Sequence, residues 1–232
     1  MNELRLANML SLCIEALRAK GYELEQVAHG SDADVRAARV RSKDRSKPFA
    51  LDKSDFSKAE AFWLFLKKDG QDVAFAAARV NEFEWGELAG YLDVSYRRLY
   101  PDCPFFIPKA PQTLLRLMHG RVVYLGELFF SPSHRGDAPN LRLFVHALFC
   151  LCVIKLRADW MFAFVPKKHD RFGYGRLYGF PRLDDAGFQW VKVPPGRRQE
   201  TVCAISSGDL DARAEFFSCY PEQLTEVFAD QK

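Results

Sequence analysis

Glu127 is the single charged residue in the run Val122-Val123-Tyr124-Leu125-Gly126-Glu127-Leu128-Phe129-Phe130. A run so rich in β-branched and aromatic residues reads as a strand covered on both faces. Simple alternation sends Val123, Leu125, Glu127 and Phe129 to one side and Val122, Tyr124, Leu128 and Phe130 to the other. A carboxylate desolvated by such neighbours takes up a proton more readily, which suits a general base. The same placement also fits a structural Glu paired with a buried Arg or a backbone donor. Directly after it, Ser131-Pro132-Ser133-His134-Arg135-Gly136-Asp137-Ala138 breaks the strand, and an apolar run from Leu143 to Ile154 follows. That order leaves backbone N–H groups free at a helix N-terminus, where an anion can sit. Gly136 permits close backbone approach, and Arg135 can add a charge-assisted contact. Asp137 brings a like charge and Pro139 lacks a donor, so these two also read as a helix N-cap with Pro in the first turn. Lys167, Lys168 and Arg171 supply cations a little further on.

The elements that must position these groups can be read around them. Trp160-Met161-Phe162-Ala163-Phe164-Val165 is the next strand, so strand, loop, apolar helix and strand make a βαβ unit. Upstream, residues 2–20 form an amphipathic helix carrying Leu6, Met9, Leu10, Cys13 and Leu17, with Gly21 as its stop. Tyr22 to Val27 alternates as a first strand. Ser31-Asp32-Ala33-Asp34 opens a helix with a capping-box pattern, its apolar side being Val35, Ala38 and Val40. Arg41 to Lys58 is polar and basic, either a solvated loop or an attraction for acidic groups. Ala59 to Leu66 and Asp72 to Val80 form a hairpin across Lys67-Lys68-Asp69-Gly70-Gln71. Residues 81–120 hold Phe83, Trp85, Tyr91, Tyr96, Tyr100, Phe105 and Phe106, which fits either a lid or a small helical unit completing the core. Thr113 to His119 leads as a short helix into the core strand. Gly187 to Val193 and Glu200 to Ile205 read as a closing hairpin, and Ala212 to Phe228 as a helical tail on the exterior of the sheet.

Two stretches carry a resemblance. Ser133-His134-Arg135-Gly136-Asp137-Ala138 resembles the acyl-CoA-binding loop of the GNAT N-acetyltransferase superfamily: Gln or Arg, two residues, Gly, one residue, then Gly or Ala. Gly136 and Ala138 keep their places, and Ser133 departs from the first. Tyr174-Gly175-Arg176-Leu177-Tyr178-Gly179-Phe180 resembles the family's Tyr before Gly-Phe, with one more residue between Tyr174 and Gly179 than usual. The resemblance implies an α/β GNAT-like fold, a central mixed β-sheet flanked by helices. It implies a single domain over residues 1–232, with an extra N-terminal helix and an aromatic insertion at 81–120. That insertion is similar in architecture to those of acyl-homoserine lactone synthases and N-acyl amino acid synthases. Further implications are acetyl-CoA or acyl-CoA as co-substrate, with no permanently bound cofactor and no metal. The loop Arg135, Gly136, Asp137, Ala138 and Asn140 would take the pyrophosphate. Phe129 and Phe130 would bring main-chain amides to the thioester, and Lys168 and Arg171 would meet the adenosine 3′-phosphate. Glu127 would serve as the base, and Tyr174 or Tyr178 would protonate the departing thiolate. The acceptor would be a small-molecule or peptide amine, and an acyl carrier protein as donor or a non-catalytic ligand-binding role stays open, as does a homodimer.

Composition sets the outer bounds. With 232 residues, 48% of them hydrophobic, the chain can bury a sizeable core as one large domain. A formal net charge of +3 gives no global argument for nucleic acid, and none is expected as a partner. The six cysteines form no paired C-x-x-C knuckle, so buried free thiols in a reducing cytoplasm are expected. Met1-Asn2-Glu3-Leu4 lacks the basic start and apolar stretch of a signal peptide, and the run from Leu143 to Ile154 is short for a bilayer, so a soluble cytoplasmic protein without membrane partners is expected.

Overall fold

The side-chain oxygen of Asn2 accepts the amides of Leu4 and Arg5 and starts the first helix, α1 (Glu3–Arg18). The computed structural model describes residues 2–41, 47–49, 60–110 and 112–224. Leu6, Met9, Cys13 and Leu17 of α1 are fully buried, as their helical spacing requires. Strand β1 (Tyr22–Ala28) leads to α2 (Ser31–Val40). Ser31 is not a cap here: Gly30 holds the N-cap position and no side chain caps the helix. The inward face of α2 is Ala33, Asp34 and Ala37, whereas Val35 is 51% exposed, a rotation from the expected face. Most of the basic stretch from Arg41 to Lys58 lies outside the described residues.

Strands β2 (Ala61–Lys68) and β3 (Gln71–Phe83) form the expected hairpin. Asp69 and Gly70 turn it with φ of 50° and 76°, the left-handed pair that a two-residue turn between twisted strands demands. Then come α3 (Glu87–Leu99), β4 (Phe105–Phe106), α4 (Leu114–Leu117), β5 (Gly120–Phe130), α5 (Ala138–Leu156) and β6 (Trp160–Pro166). Two short helices, α6 (Lys167–Asp170) and α7 (Tyr174–Leu177), precede β7 (Arg182–Asp184), β8 (Gln189–Trp190), β9 (Glu200–Ser206) and α8 (Ser207–Cys219). The seven-stranded sheet runs β1-β2-β3-β5-β6-β9-β7, and β5 with β6 is its parallel pair. An α/β fold with a mixed sheet and helices on both faces is what results.

One expected pairing is wrong. β9 lies between β6 and β7, while Gln189–Trp190 pairs with Phe105–Phe106 in a separate ribbon. Phe188 and Trp190 are pulled into an aromatic cluster with Tyr96, Tyr100 and Phe105. Pro194 and Pro195 offer no ladder donors, and Val191 is 73% exposed, so the segment has little to gain in the main sheet. The same cluster decides the aromatic insertion. Leu88, Leu92, Tyr96 and Leu99 of α3 are buried on one sheet face, so the insertion packs as core. Each ring buried there contributes on the order of 1.5–3 kcal/mol.

The other face carries α1, α5 and α8. α5 is 19 residues long, more than the apolar run suggested, and by length and composition alone it could cross a bilayer. However, 67% of its apolar stretch is buried inside the fold. α8 starts earlier than expected because Ser206 and Asp209 make a reciprocal capping box. It packs on this face of the sheet through Leu210, Ala214 and Phe217, and it hydrogen-bonds α1 through Arg5 to Glu215 and Asn8 to Ser218. Residues from 225 onward, including Val227 and Phe228, lie outside the described residues. Five cysteines are buried and unbridged, and Cys219 is exposed, against the expectation for it.

His146 of α5 sits under this face, fully buried. Its Nδ1 donates to the Arg142 carbonyl at 2.8 Å, which leaves Nε2 as the acceptor from Arg213. Burial, with the Arg213 guanidinium adding to it, pushes the imidazole down to about 3. In the unfolded chain a histidine titrates near about 6.5. Stability from this group is therefore complete above about pH 6.5 and is lost progressively as pH falls toward about 3. We expect His146→Gln to flatten the dependence of Tm on pH between about 6.5 and 4 relative to the parent chain. Parallel curves in a thermal-melt series would remove His146 as the source.

Candidate functional site

β5 and β6 pair only at Val122 with Trp160, Val123 with Met161 and Tyr124 with Phe162, although both strands continue well past that point. β6 stays paired to β9 along its length, and β5 stays with β3, so a wedge opens between them. A bulge in β5 accompanies the separation. Phe75 and Ala77 of β3 face Phe129 and Gly126, leaving one extra residue in β5, and Glu127 has a φ of +59° there. The extra residue reverses the alternation beyond it. Phe129 packs with Val122 and Tyr124, and Leu128 and Phe130 pack with Val123 and Leu125, opposite to the simple alternation. Gly126 is required beside the bulge, because a Cβ there would lie 2.7 Å from the Phe49 ring.

The wedge holds two cavities, of about 380 and 480 Å³, which both touch Leu128, His169 and Tyr178. The smaller lies between the parted strands, with Leu125 and Val165 on its walls and Val145 and Leu148 of α5 behind. Its other end is charged. Glu127 accepts from Arg41 at 2.6 Å, and Arg197 donates to both Glu200 oxygens at 2.7 and 2.9 Å. Tyr124 also lines this end, and burial pushes its phenol up to about 12. The Glu127 side chain is 1% exposed, but it is not the isolated carboxylate that its apolar neighbours suggest: the arginine pairing weighed beside the base is the one present.

The larger cavity runs past Phe129 and Phe130 to the loop Arg135 to Ala138. The amides of Ser131, His134, Arg135, Asn140 and Leu141 are all bonded within the protein. Those of Gly136, Asp137 and Ala138 have no acceptor among the described residues. Gly136 takes a φ of +87°, and the space where a Cβ would stand is open. Asp137 is the N-cap of α5, bonded to the Asn140 amide at 3.0 Å and to its side-chain nitrogen at 2.7 Å. Lys20 offsets its charge: Nζ lies 3.9 Å from the Asp137 carboxylate and donates to Asn140 Oδ1 at 2.8 Å. Among the described residues, three amides without an acceptor thus stand at the positive end of a 19-residue helix, with Lys20 beside the Asp137 carboxylate.

No protein-family model matches the chain, and no curated protein matches it in sequence. Among solved structures it is similar to FeeM, an N-acyl amino acid synthase from uncultured soil microbes, with a TM-score of 0.50 at 10% identity over 86% of this chain and 96% of that one. The fold is that of the GNAT acyltransferases. A Drosophila melanogaster polyamine N-acetyltransferase aligns at TM-score 0.49 and 14% identity, covering 80% of this chain and 99% of its own. Arabidopsis thaliana Naa50, in complex with the bisubstrate analogue CoA-Ac-MVNAL, aligns at TM-score 0.40 and 13% identity, covering 80% and 99%.

On the GNAT frame the remaining candidates separate. Tyr178 lines both cavities, and burial pushes its phenol up to about 12, with Tyr174 adding to it. Tyr174 lines only the larger cavity and is 37% exposed. The extra residue before Gly179 turns a helix by about 100°, and here it brings the second tyrosine to the junction. Arg135 lines the larger cavity but is folded back, its Nε donating to the Phe130 carbonyl at 2.8 Å and its guanidinium 5.2 Å from the Phe129 ring centre. Three expected ligand residues do not reach the cavities. Asn140 is buried and its side chain is consumed by Asp137 and Lys20; Lys168 and Arg171 are exposed and line neither cavity. Arg41 read only as part of the basic stretch, His169 carried no role in the sequence, and Arg197 and Glu200 were not singled out; only the tertiary fold brings the four to the wedge.

Proposed function

We propose that this chain is an acyl-CoA-dependent N-acyltransferase that moves an acetyl or longer acyl group onto an amine. The observation that carries this reading is the set of three unbonded amides, Gly136 to Ala138, opening onto a wedge between parted strands. The diphosphate of coenzyme A occupies those amides, and Arg135 swings from the Phe130 carbonyl to add a charged contact. The thioester then lies in the wedge beside β5, whose edge beyond Tyr124 has no strand partner on the β6 side. Main-chain amides there polarise the carbonyl and hold the oxyanion that forms when the amine attacks. The N–C bond forms first, the C–S bond breaks next, and the sulfur leaves as a thiolate. Glu127 receives the proton lost by the acceptor nitrogen, directly or through water. Tyr178, still protonated at neutral pH, returns a proton to the thiolate.

Calorimetric titration with coenzyme A, followed by thiol release from acetyl-CoA and a longer acyl-CoA in the presence of an amine panel, tests the reading. Binding together with amine-dependent release supports it. Binding without release from any amine would leave a ligand-binding module in its place. Tyr178→Phe should lower kcat by about 10–100-fold with little change in KM for the acyl-CoA, as removal of a general acid does. If Tyr174→Phe has that effect instead, the assignment of the two tyrosines is reversed.

A further inference from the structure

We propose, resting on the acyltransferase reading, that His134 is a side-chain ligand for the diphosphate and that Tyr22, on the edge strand β1, is the residue that positions it. His134 stands two residues before Gly136 and lines the same cavity of about 480 Å³, whereas its neighbour Ser133 does not. The imidazole is half-buried, and its Nδ1 lies 3.0 Å from the Tyr22 hydroxyl. The two rings meet edge to face, with centroids 5.7 Å apart. Nε2 has no hydrogen-bond partner among the described residues. When the Tyr22 hydroxyl donates to Nδ1, the ring proton belongs on Nε2, and that nitrogen becomes a donor. A phosphate oxygen held by the amides of Gly136 to Ala138 accepts from it.

Tyr22 is itself held in place. It is buried, Lys68 Nζ lies 4.5 Å from its ring centre, and the same ammonium donates to the Lys20 carbonyl at 3.1 Å. Gly21, with a φ of +78°, turns the chain between α1 and β1, and the residues on either side of it reach the loop at two points. Tyr22 meets His134 near the start of the loop, and Lys20 donates to Asn140 Oδ1 at 2.8 Å at its end. One turn, 112 residues from His134 and 120 from Asn140, therefore spans the whole of the phosphate-facing segment. The ring and the amides meet the ligand already arranged, so less freedom is lost when it binds.

Calorimetry on the full chain with coenzyme A, and with pantetheine, which lacks the diphosphate, tests the proposal. His134→Phe keeps an aromatic ring against Tyr22 but no nitrogen, and Tyr22→Phe removes only the hydroxyl. The Kd for coenzyme A should rise at least about 10-fold in His134→Phe and at least about threefold in Tyr22→Phe, with the Kd for pantetheine moving by less than about twofold. The double variant should bind coenzyme A within about twofold of His134→Phe alone, because Tyr22 acts through the imidazole. Equal losses for the two ligands would mark a general loosening of the fold and overturn the proposal. Additive losses in the double variant, or a Kd for coenzyme A within about twofold of the parent in either single variant, would overturn it as well. If the parent chain binds coenzyme A but acylates no amine, the acyltransferase reading fails, and the same affinities still decide the part of His134 and Tyr22. If the parent chain does not bind coenzyme A, both fall together.

Discussion

Glu127→Gln should lower kcat for amine acylation by about two orders of magnitude while the Kd for acetyl-CoA shifts by less than about threefold. The substitution keeps the volume of a side chain that is 1% exposed at the β5 bulge, so the wedge is preserved. It removes the anion, and with it the acceptor for a proton that must leave the nitrogen before the C–S bond can break. The amides of Gly136 to Ala138, which hold the diphosphate in the proposed reaction, belong to the loop after β5 and line the other cavity. Steady-state thiol release at saturating amine measures the effect, alongside calorimetry for the cofactor. An equal fall in kcat and kcat/KM marks an interaction made only in the transition state. A kcat within about threefold of the parent would sink the assignment. His169, which touches both cavities, would then be the group to test next.

How far the sequence reached depends on whether a feature is local. The hairpin at Asp69-Gly70, the α1 face and the cap at Asp137 were legible because each follows from a few neighbouring residues. The loop before α5 was legible for the same reason: a glycine, a cap and a helix N-terminus lie within three residues. The β5 bulge was not, since nothing in Leu125 to Phe130 announces an unpaired residue until the register against β3 is seen. Missing it inverted the faces of Phe129 and Leu128. The pairing of β9 with β7 was hidden by a stronger local signal, the alternation of Gly187 to Val193, which long-range aromatic packing overrode. Arg41 read only as one cation of a basic stretch, solvated or attracting acidic groups, because its partner, Glu127, is eighty-six residues away. The charges of the wedge come from the C-terminal cap of α2, from β5, and from the start of β9 with the turn before it, and no window of sequence contains them together.

Gly179→Ala should be the most damaging glycine substitution in the site region, with a loss above about 3 kcal/mol and a fall in Tm of about 6–12 °C. Gly179 has a φ of +89°, a conformation that costs an L-residue roughly 1–2 kcal/mol. Space adds to the cost. A Cβ there would lie 2.7 Å from Arg213 Nη1 and 2.8 Å from His146 Cε1. The arginine also donates to the Gly179 carbonyl, and the imidazole is fully buried and tied to Arg142, so neither can withdraw cheaply. Gly136→Ala is the control, because its φ of +87° is nearly the same while nothing lies within 4 Å of its Cβ. That variant should lose only the conformational part, about 1–2 kcal/mol. Denaturant melts of the two variants separate backbone strain from crowding: equal losses would mean that α5 yields at His146. The close contact of Gly179 with α5 would then not be what holds the Tyr178 turn at the junction of the two cavities.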